Sequence, residues 1–245
     1  MSFFKKVFNK IVNFIFPAQC IICKTFIENN DGICFECLNE IEFISDPKCA
    51  YCGYPFEIKF PESGKNKLYV CPRCLKSKPK FDKCVSVVHY NDASKKIILP
   101  FKHADKTNYA KIMGRMMAST VSPFIEKVDF IVPVPIHLKR MLKRKYNQSA
   151  LLVSVISSIT GKPALFNTLI RTSFKESQGH LSVQDRKLNV SGAFAVKNPF
   201  KIKGKNILII DDVFTTGATI NECAKVLKSA GARRIFVATF ARVVK

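Results

Sequence analysis

Two groups of residues in this sequence have the types and spacing to do chemistry. The first is the segment Ile207-Leu208-Ile209-Ile210-Asp211-Asp212-Val213-Phe214-Thr215-Thr216-Gly217-Ala218-Thr219. A buried-strand pattern ends in two adjacent carboxylates. A short loop of hydroxyls with one glycine follows, and then a helical pattern begins. A helix N-terminus offers free backbone N–H groups and the positive end of the helix dipole, which together suit a phosphate. Thr215, Thr216 and Thr219 add hydroxyl donors, and Gly217 lets the backbone come close to the anion. Asp211 and Asp212 beside that cradle suit vicinal sugar hydroxyls, and also Mg2+ held directly or through water. A Walker loop is excluded, because the G-x-x-x-x-G-K signature is absent. The bland alternative is a strand–loop–helix connection with an acidic cap.

The second group is the cysteines. Eight of the ten fall into four C-x2-C pairs: Cys20/Cys23, Cys34/Cys37, Cys49/Cys52 and Cys71/Cys74, separated by ten, eleven and eighteen residues. One such knuckle turns tightly enough to give two thiolates to one metal, and two knuckles complete a tetrahedral sulfur site. Sulfur-only tetrahedral ligation selects Zn2+ or an iron–sulfur cluster, and the spacing differs from ferredoxin patterns. Two structural Zn2+ are therefore expected, since four thiolates leave no open position for a substrate. A disulfide scaffold would need an oxidising compartment and an export signal, and no such signal is visible. The simplest pairing is sequential, Cys20, Cys23, Cys34 and Cys37 on one ion and Cys49, Cys52, Cys71 and Cys74 on the other. A cross-braced pairing has the same spacing. Cys84 and Cys223 stand alone in sequence and read as small buried hydrophobes.

Elements that could position these groups follow from periodicity. Cys84–Tyr90 is β-rich, residues 110–121 have helical spacing, and residues 128–134 form a short apolar run of the kind buried on both sheet faces. Residues 146–159 are helical, 207–210 a strand, 220–229 a helix and 235–240 a strand. This alternation predicts a doubly wound α/β domain with a mainly parallel sheet, whose ligands bind outside the carboxyl ends of the strands.

Composition bounds the rest. With 245 residues, 47% of them hydrophobic, the chain can bury a sizeable core in one large domain or two smaller ones. Ten glycines and twelve prolines exclude collagen-like and low-complexity classes. The net charge of +22 points to a polyanionic partner or a multiply charged anionic ligand. Residues 1–84 carry only +4 of it and residues 85–245 carry +18, so the cysteine-rich part is not the main electrostatic footprint. Within the basic part, Lys139, Arg140, Lys143, Arg144 and Lys145 form a run without acids, which reads as a polyanion contact in preference to a solvated helix face. The four histidines, His89, His103, His137 and His180, read as structural or surface residues.

Residues 1–16 read as an amphipathic helix, with Phe4, Val7, Phe8, Ile11, Phe14 and Ile15 at helical spacing among lysines. It packs on the protein's own second module or lies on an anionic membrane surface. No run approaches the length of about 18 residues that spans a bilayer. The expected organisation is a helix over 1–16, a zinc-ribbon module over 17–80 and an α/β module over 84–245.

The segment 207–219 resembles the 5-phosphoribosyl-1-diphosphate (PRPP) signature of type I phosphoribosyltransferases: an apolar strand, two acids, then Thr-Thr-Gly-Ala-Thr. The stretch Ile131-Val-Pro133-Val-Pro135 … Lys139-Arg140 … Lys143-Arg144-Lys145-Tyr146-Asn147-Gln148 is similar to the P-V-P…R…R-G-F-N-Q stretch of the ComF family. Arg171, Gln178, Leu181, Arg186, Asn189 and Phe194 fall as in that family's next segment, as do Ala230-Gly231-Ala232 and Ala241-Arg242. The cysteine-rich front resembles its double zinc ribbon. Lys145 departs from the pattern, which has glycine there.

The resemblance covers nearly the whole chain. It implies a type I phosphoribosyltransferase-like fold and a cytosolic PRPP-binding protein tied to competence, the uptake and processing of single-stranded DNA in natural transformation. Thr215–Thr219 would hold the 5-phosphate, Asp211 and Asp212 the ribose hydroxyls with Mg2+ nearby, and Lys139, Arg140, Lys143 and Arg144 the pyrophosphate or another polyanion. Residues 172–190 would form a cover over the site. Single-stranded DNA and a competence helicase are the partners it suggests. Two function classes stand: a DNA-handling protein that uses PRPP as a ligand, and a phosphoribosyltransferase acting on a nucleobase or amine in nucleotide salvage, with Asp211 and Asp212 as its catalytic carboxylates.

Overall fold

Ile207, Leu208, Ile209 and Ile210 are all fully buried, so the strand that carries them is covered on both faces. The computed structural model describes residues 18–27, 32–57, 68–103, 106–137, 141, 145–172 and 191–244. The expected helix over 1–16, the basic residues Lys139, Arg140, Lys143 and Arg144, and the expected cover from residue 173 to 190 lie outside the described residues, as do Gln178, His180 and the side chain of His103.

In chain order the described elements are the short helices α1 (Phe35–Asn39) and α2 (Pro72–Lys76), strand β1 (Lys83–His89), helices α3 (Asp92–His103) and α4 (Tyr109–Val121), strand β2 (Phe130–Pro133), helix α5 (Gln148–Thr160), strands β3 (Leu169–Arg171), β4 (Phe194–Val196) and β5 (Asn206–Phe214), helix α6 (Ala218–Ser229) and strand β6 (Arg234–Arg242). β1, β6, β5 and β2 form one parallel sheet in that order, and β3 pairs antiparallel with β4. The expected parallel α/β architecture is therefore present. α3 and the β3–β4 pair are additions. Pro100 inside α3 interrupts its helical pattern, and two three-residue strands are too short to show a period.

The sheet's alternation sorts the core into two layers. Leu208 and Ile210 of β5 join Phe236, Ala238 and Phe240 of β6 against α4 and α5, through Met113, Met117, Leu152 and Ile156. Ile207 and Ile209 face the other way with Ile235 and Val237, against Cys223 and Leu227 of α6 and Leu169 and Phe194 of the β3–β4 pair. Each of these large apolar side chains contributes about 1.5–3 kcal/mol on burial. Cys223 sits at the centre of the second layer, and the fully packed site pushes its thiol well above the ordinary range. Burial also pushes Cys84 up to about 12. Both behave as the small hydrophobes the sequence suggests.

The cysteine-rich segment is joined to this sheet. Phe43 bridges antiparallel to Val88, Ile44 N–H donates to the Val87 carbonyl at 2.9 Å, and His89 N–H to the Glu42 carbonyl at 2.9 Å. Cys84 N–H donates to the Tyr51 carbonyl at 2.7 Å. Gly53 lies against the same turn: a Cβ on it would stand 2.5 Å from the Cys84 carbonyl oxygen, and its φ is +69°. Only glycine fits both conditions.

Candidate phosphate site and cysteine tetrads

β5 carries the two carboxylates. It does not end with them, as the sequence pattern suggests, but runs on to Phe214. β6 runs alongside for its whole length, with Asp211 opposite Thr239, Val213 opposite Ala241 and Phe214 opposite Arg242. The two acids point to opposite faces, as successive strand residues must. Asp211 Oδ1 accepts from Ser149 Oγ of α5 at 3.0 Å and from its neighbour's N–H at 3.0 Å. Asp212 is buried and pairs with Lys102 Nζ of α3 at 3.1 Å. Burial, and then the Asp212 charge, push the Asp211 carboxyl up to about 7. Its hydrogen bonds and Lys102 oppose the shift.

The loop after β5 turns at Gly217, which has φ +73° and immediately precedes α6. The structure gives this glycine a reason beyond room for an anion. A Cβ there would stand 2.4 Å from Cζ of Phe214, whose ring fills the space beneath the loop. Thr216 Oγ1 accepts from Ala218 N–H at 3.4 Å. The remaining first-turn N–H groups of α6 have no intrahelical acceptor, as at any helix start. Thr215 is exposed, and Thr216, Gly217, Ala218 and Thr219 are half-buried. Accessible hydroxyls and helix-start amides thus follow the paired carboxylates directly. That set offers the donors that anionic oxygens need, beside carboxylates able to accept from hydroxyls.

Other residues frame the site. Asn147 caps α5 by accepting from Ser149 N–H at 3.0 Å, and its own amide donates to the Val134 carbonyl at 3.1 Å. That cap places Ser149 next to Asp211. Lys145 takes φ +63°, the left-handed conformation that a glycine adopts freely and that costs a lysine about 1–2 kcal/mol. Arg171 and Phe194, far apart in sequence, are paired across β3 and β4, with the guanidinium 5.5 Å from the ring centre. Lys102, Ser149, Arg73 and Arg242 escaped the sequence reading as site residues. Arg73 of α2 donates to the Thr216 carbonyl, and Arg242 stacks on Phe214 with its guanidinium 4.3 Å from the ring centre.

The cysteines gather as the sequential pairing expects. The four sulfurs of Cys20, Cys23, Cys34 and Cys37 lie within 4.8 Å of one another, and so do those of Cys49, Cys52, Cys71 and Cys74. Backbone N–H groups point at several of these sulfurs: Ile22 and Cys34 at Cys20, and Cys71 at Cys49, each at 3.4 Å. Donors aimed at sulfur favour the thiolate, so each tetrad fits a structural Zn2+.

Comparison with known proteins agrees with both halves. Residues 11–75 match the double zinc ribbon domain and residues 114–244 the phosphoribosyl transferase domain. Competence protein F of Haemophilus influenzae is 30% identical over 241 residues, covering 95% of this chain and 100% of that protein. The chain belongs to the ComF family. Other ComF-like relatives include the DNA utilization protein YhgH of Salmonella typhimurium, 29% identical over 90% of this chain and 95% of that protein. Competence protein ComFC of Bacillus subtilis is 26% identical over 84% of this chain and 81% of that protein. Among the described residues no helix is long and apolar enough to cross a membrane.

Proposed function

We propose that this ComF-family chain binds PRPP with Mg2+ at Asp211–Thr219 and acts in the handling of single-stranded DNA during natural transformation. The observation that carries the ligand is the junction of β5 and α6. Two carboxylates, one half-buried and one buried against Lys102, lead into hydroxyls and the free amides of a helix start. In this reading Thr215, Thr216 and Thr219 and the unpaired first-turn amides of α6 hold the 5-phosphate. Asp211 and Asp212 hold the ribose hydroxyls. Ser149 fixes the Asp211 carboxylate through its hydroxyl, and Lys102 offsets the charge of Asp212 until the ligand and its metal arrive. Mg2+ would neutralise the pyrophosphate. The relatives' names, competence protein and DNA utilization protein, support the biological role, and the surplus of +18 over residues 85–245 suits a polyanion.

Titration calorimetry with millimolar PRPP and Mg2+ tests the ligand. Asp212→Asn removes a charge while keeping the shape. Loss of one charge-assisted contact, at about 1.5–3 kcal/mol, weakens binding at least tenfold. Absence of heat with the wild type, or equal affinity in the variant, overturns the reading. Release of pyrophosphate with a panel of bases would assign transferase activity, and its absence with intact PRPP binding would leave PRPP as a ligand.

A further inference from the structure

Arg242 closes β6 and is only 2% exposed. A guanidinium removed from water costs several kcal/mol unless acceptors and anions surround it. Its acceptors here come from one residue of the second tetrad: Nη1 donates to the Cys52 carbonyl and Nη2 to Cys52 Sγ at 3.5 Å. Among the described residues its Nε has no partner. The same group lies over the Phe214 ring, 4.3 Å from its centre, and 5.5 Å from the ring centre of Tyr54, which follows the Cys52 knuckle. Four thiolates exceed the charge of one divalent ion by two, so a zinc-loaded second tetrad is the counter-charge that makes this burial favourable.

Phe214 is also the ring under Gly217. Its edge meets Phe81 with the ring centres 6.3 Å apart, so it is held on both sides and fixes the height of the loop above it. A second link runs from the same tetrad. Arg73 lies between ligands Cys71 and Cys74 and donates to the carbonyl of Thr216. Behind the loop there is a cavity of about 460 Å³ lined by Arg73, Lys78, Lys80, Phe214, Gly217 and Asn221. The loop therefore rests on the Phe214 ring, and across this cavity the tetrad reaches it through the two arginines. The first tetrad has other neighbours. Tyr109 Oη donates to the Ile21 carbonyl at 2.6 Å, Lys24 Nζ donates to the same carbonyl at 2.8 Å, and Lys96 pairs with Glu40 at 2.8 Å.

We infer that the two tetrads have different jobs: the second buttresses the phosphate loop, with Arg242 and Arg73 as the positioning residues that transmit its metal-loaded shape to Phe214, Thr216 and Gly217. The buttress concerns the loop's conformation, and its effect on ligand affinity rests on the PRPP reading above. Loss of metal from the second tetrad loosens the loop. Loss from the first does not.

Hydrogen exchange of the full zinc-loaded chain, read at the amides of residues 214–219, tests this without any ligand. Native mass spectrometry follows the zinc content. Arg73→Ala removes a contact at the exposed surface, and Arg242→Lys keeps the charge but loses the planar fork and the contact over the ring. Each should keep both metal ions and speed loop exchange about tenfold, the equivalent of one lost hydrogen bond. Cys74→Ser should do the same with one ion lost, and Cys23→Ser should lose one ion and leave the loop unchanged. With Mg2+ and PRPP present, both arginine variants should bind about five- to tenfold more weakly. Unchanged loop exchange in both arginine variants, or equal loosening by Cys23→Ser and Cys74→Ser, overturns the inference. If the wild type binds no PRPP, the ligand reading fails alone, and the exchange comparison still decides the buttress.

Discussion

Gly217→Ala separates two reasons for a glycine at the head of the loop. If the position only leaves room for a phosphate, an added methyl harms binding and leaves the free protein's stability untouched. The geometry says otherwise. A side chain at φ +73° costs about 1–2 kcal/mol. The new Cβ would stand 2.4 Å from the Phe214 ring. That ring is 4% exposed and lies between Arg242 and Phe81, so it has little freedom to withdraw. Overpacking of such a site adds about 1–3 kcal/mol, for a total of about 2–5. Urea unfolding in zinc-containing buffer, without Mg2+ or PRPP, measures it. A double-mutant cycle sharpens the test. Phe214→Ala alone should cost about 3–5 kcal/mol, but in the Gly217→Ala background it also relieves the clash. The two changes should therefore cost about 1–3 kcal/mol less together than their sum. Additive costs, or a Gly217→Ala protein as stable as wild type, would refute the steric argument and return the glycine to the phosphate alone.

Asp211 makes the free protein's stability depend on pH. Its folded pKa of about 7 stands above the ordinary 3.8, so the folded state holds the proton more tightly. The stability this contributes is complete below about pH 4 and is lost as pH rises through about 7. The shift allows at most about 4 kcal/mol, and about half of that after discounting for a side chain that still meets solvent. Asp211→Asn should therefore gain stability on wild type at pH 8 relative to pH 5 in urea unfolding without Mg2+, and a constant difference would contradict the shift. The zinc sites predict two Zn2+ per chain by native mass spectrometry, with the region around residues 18–57 losing protection on chelation. A folded, metal-free ribbon would contradict them. For nucleic acid, replacing Lys139, Arg140, Lys143 and Arg144 by glutamine should flatten the salt dependence of single-stranded DNA binding. The expected change is about 0.7 in the log–log slope per lost phosphate contact. An unchanged slope would move the DNA surface elsewhere.

What was legible in the sequence is what lies close together along it. The segment 207–219 is a continuous stretch of thirteen residues, so strand, acids, hydroxyls and helix start all show as neighbours. The tetrads show because the C-x2-C knuckle repeats four times, although only the folded chain decides that the knuckles pair in order. Ser149 stands 62 residues from Asp211, and no local pattern connects the two. Lys102 follows a proline within α3 and belongs to a helix that composition does not announce.

Arg242 shows the limit most sharply. It stands in the Ala241-Arg242 pair that resembles the family's closing residues, so its position was visible. Its work was not, because a basic residue near the end of a strongly basic chain reads as one more surface charge. Only the fold brings it 190 residues back to Cys52 and lays it on Phe214. A cation that buried has to be matched by an anion of fixed position, and the second tetrad supplies it. The requirement runs both ways: the tetrad's excess negative charge is stabilised by the same arginine that shapes the loop. Beside the strand-like contacts of Phe43 and Tyr51, the cysteine-rich segment is thus also linked by charge to the strand that leads into residues 215–219, which is how a tetrad without an open coordination position bears on that loop.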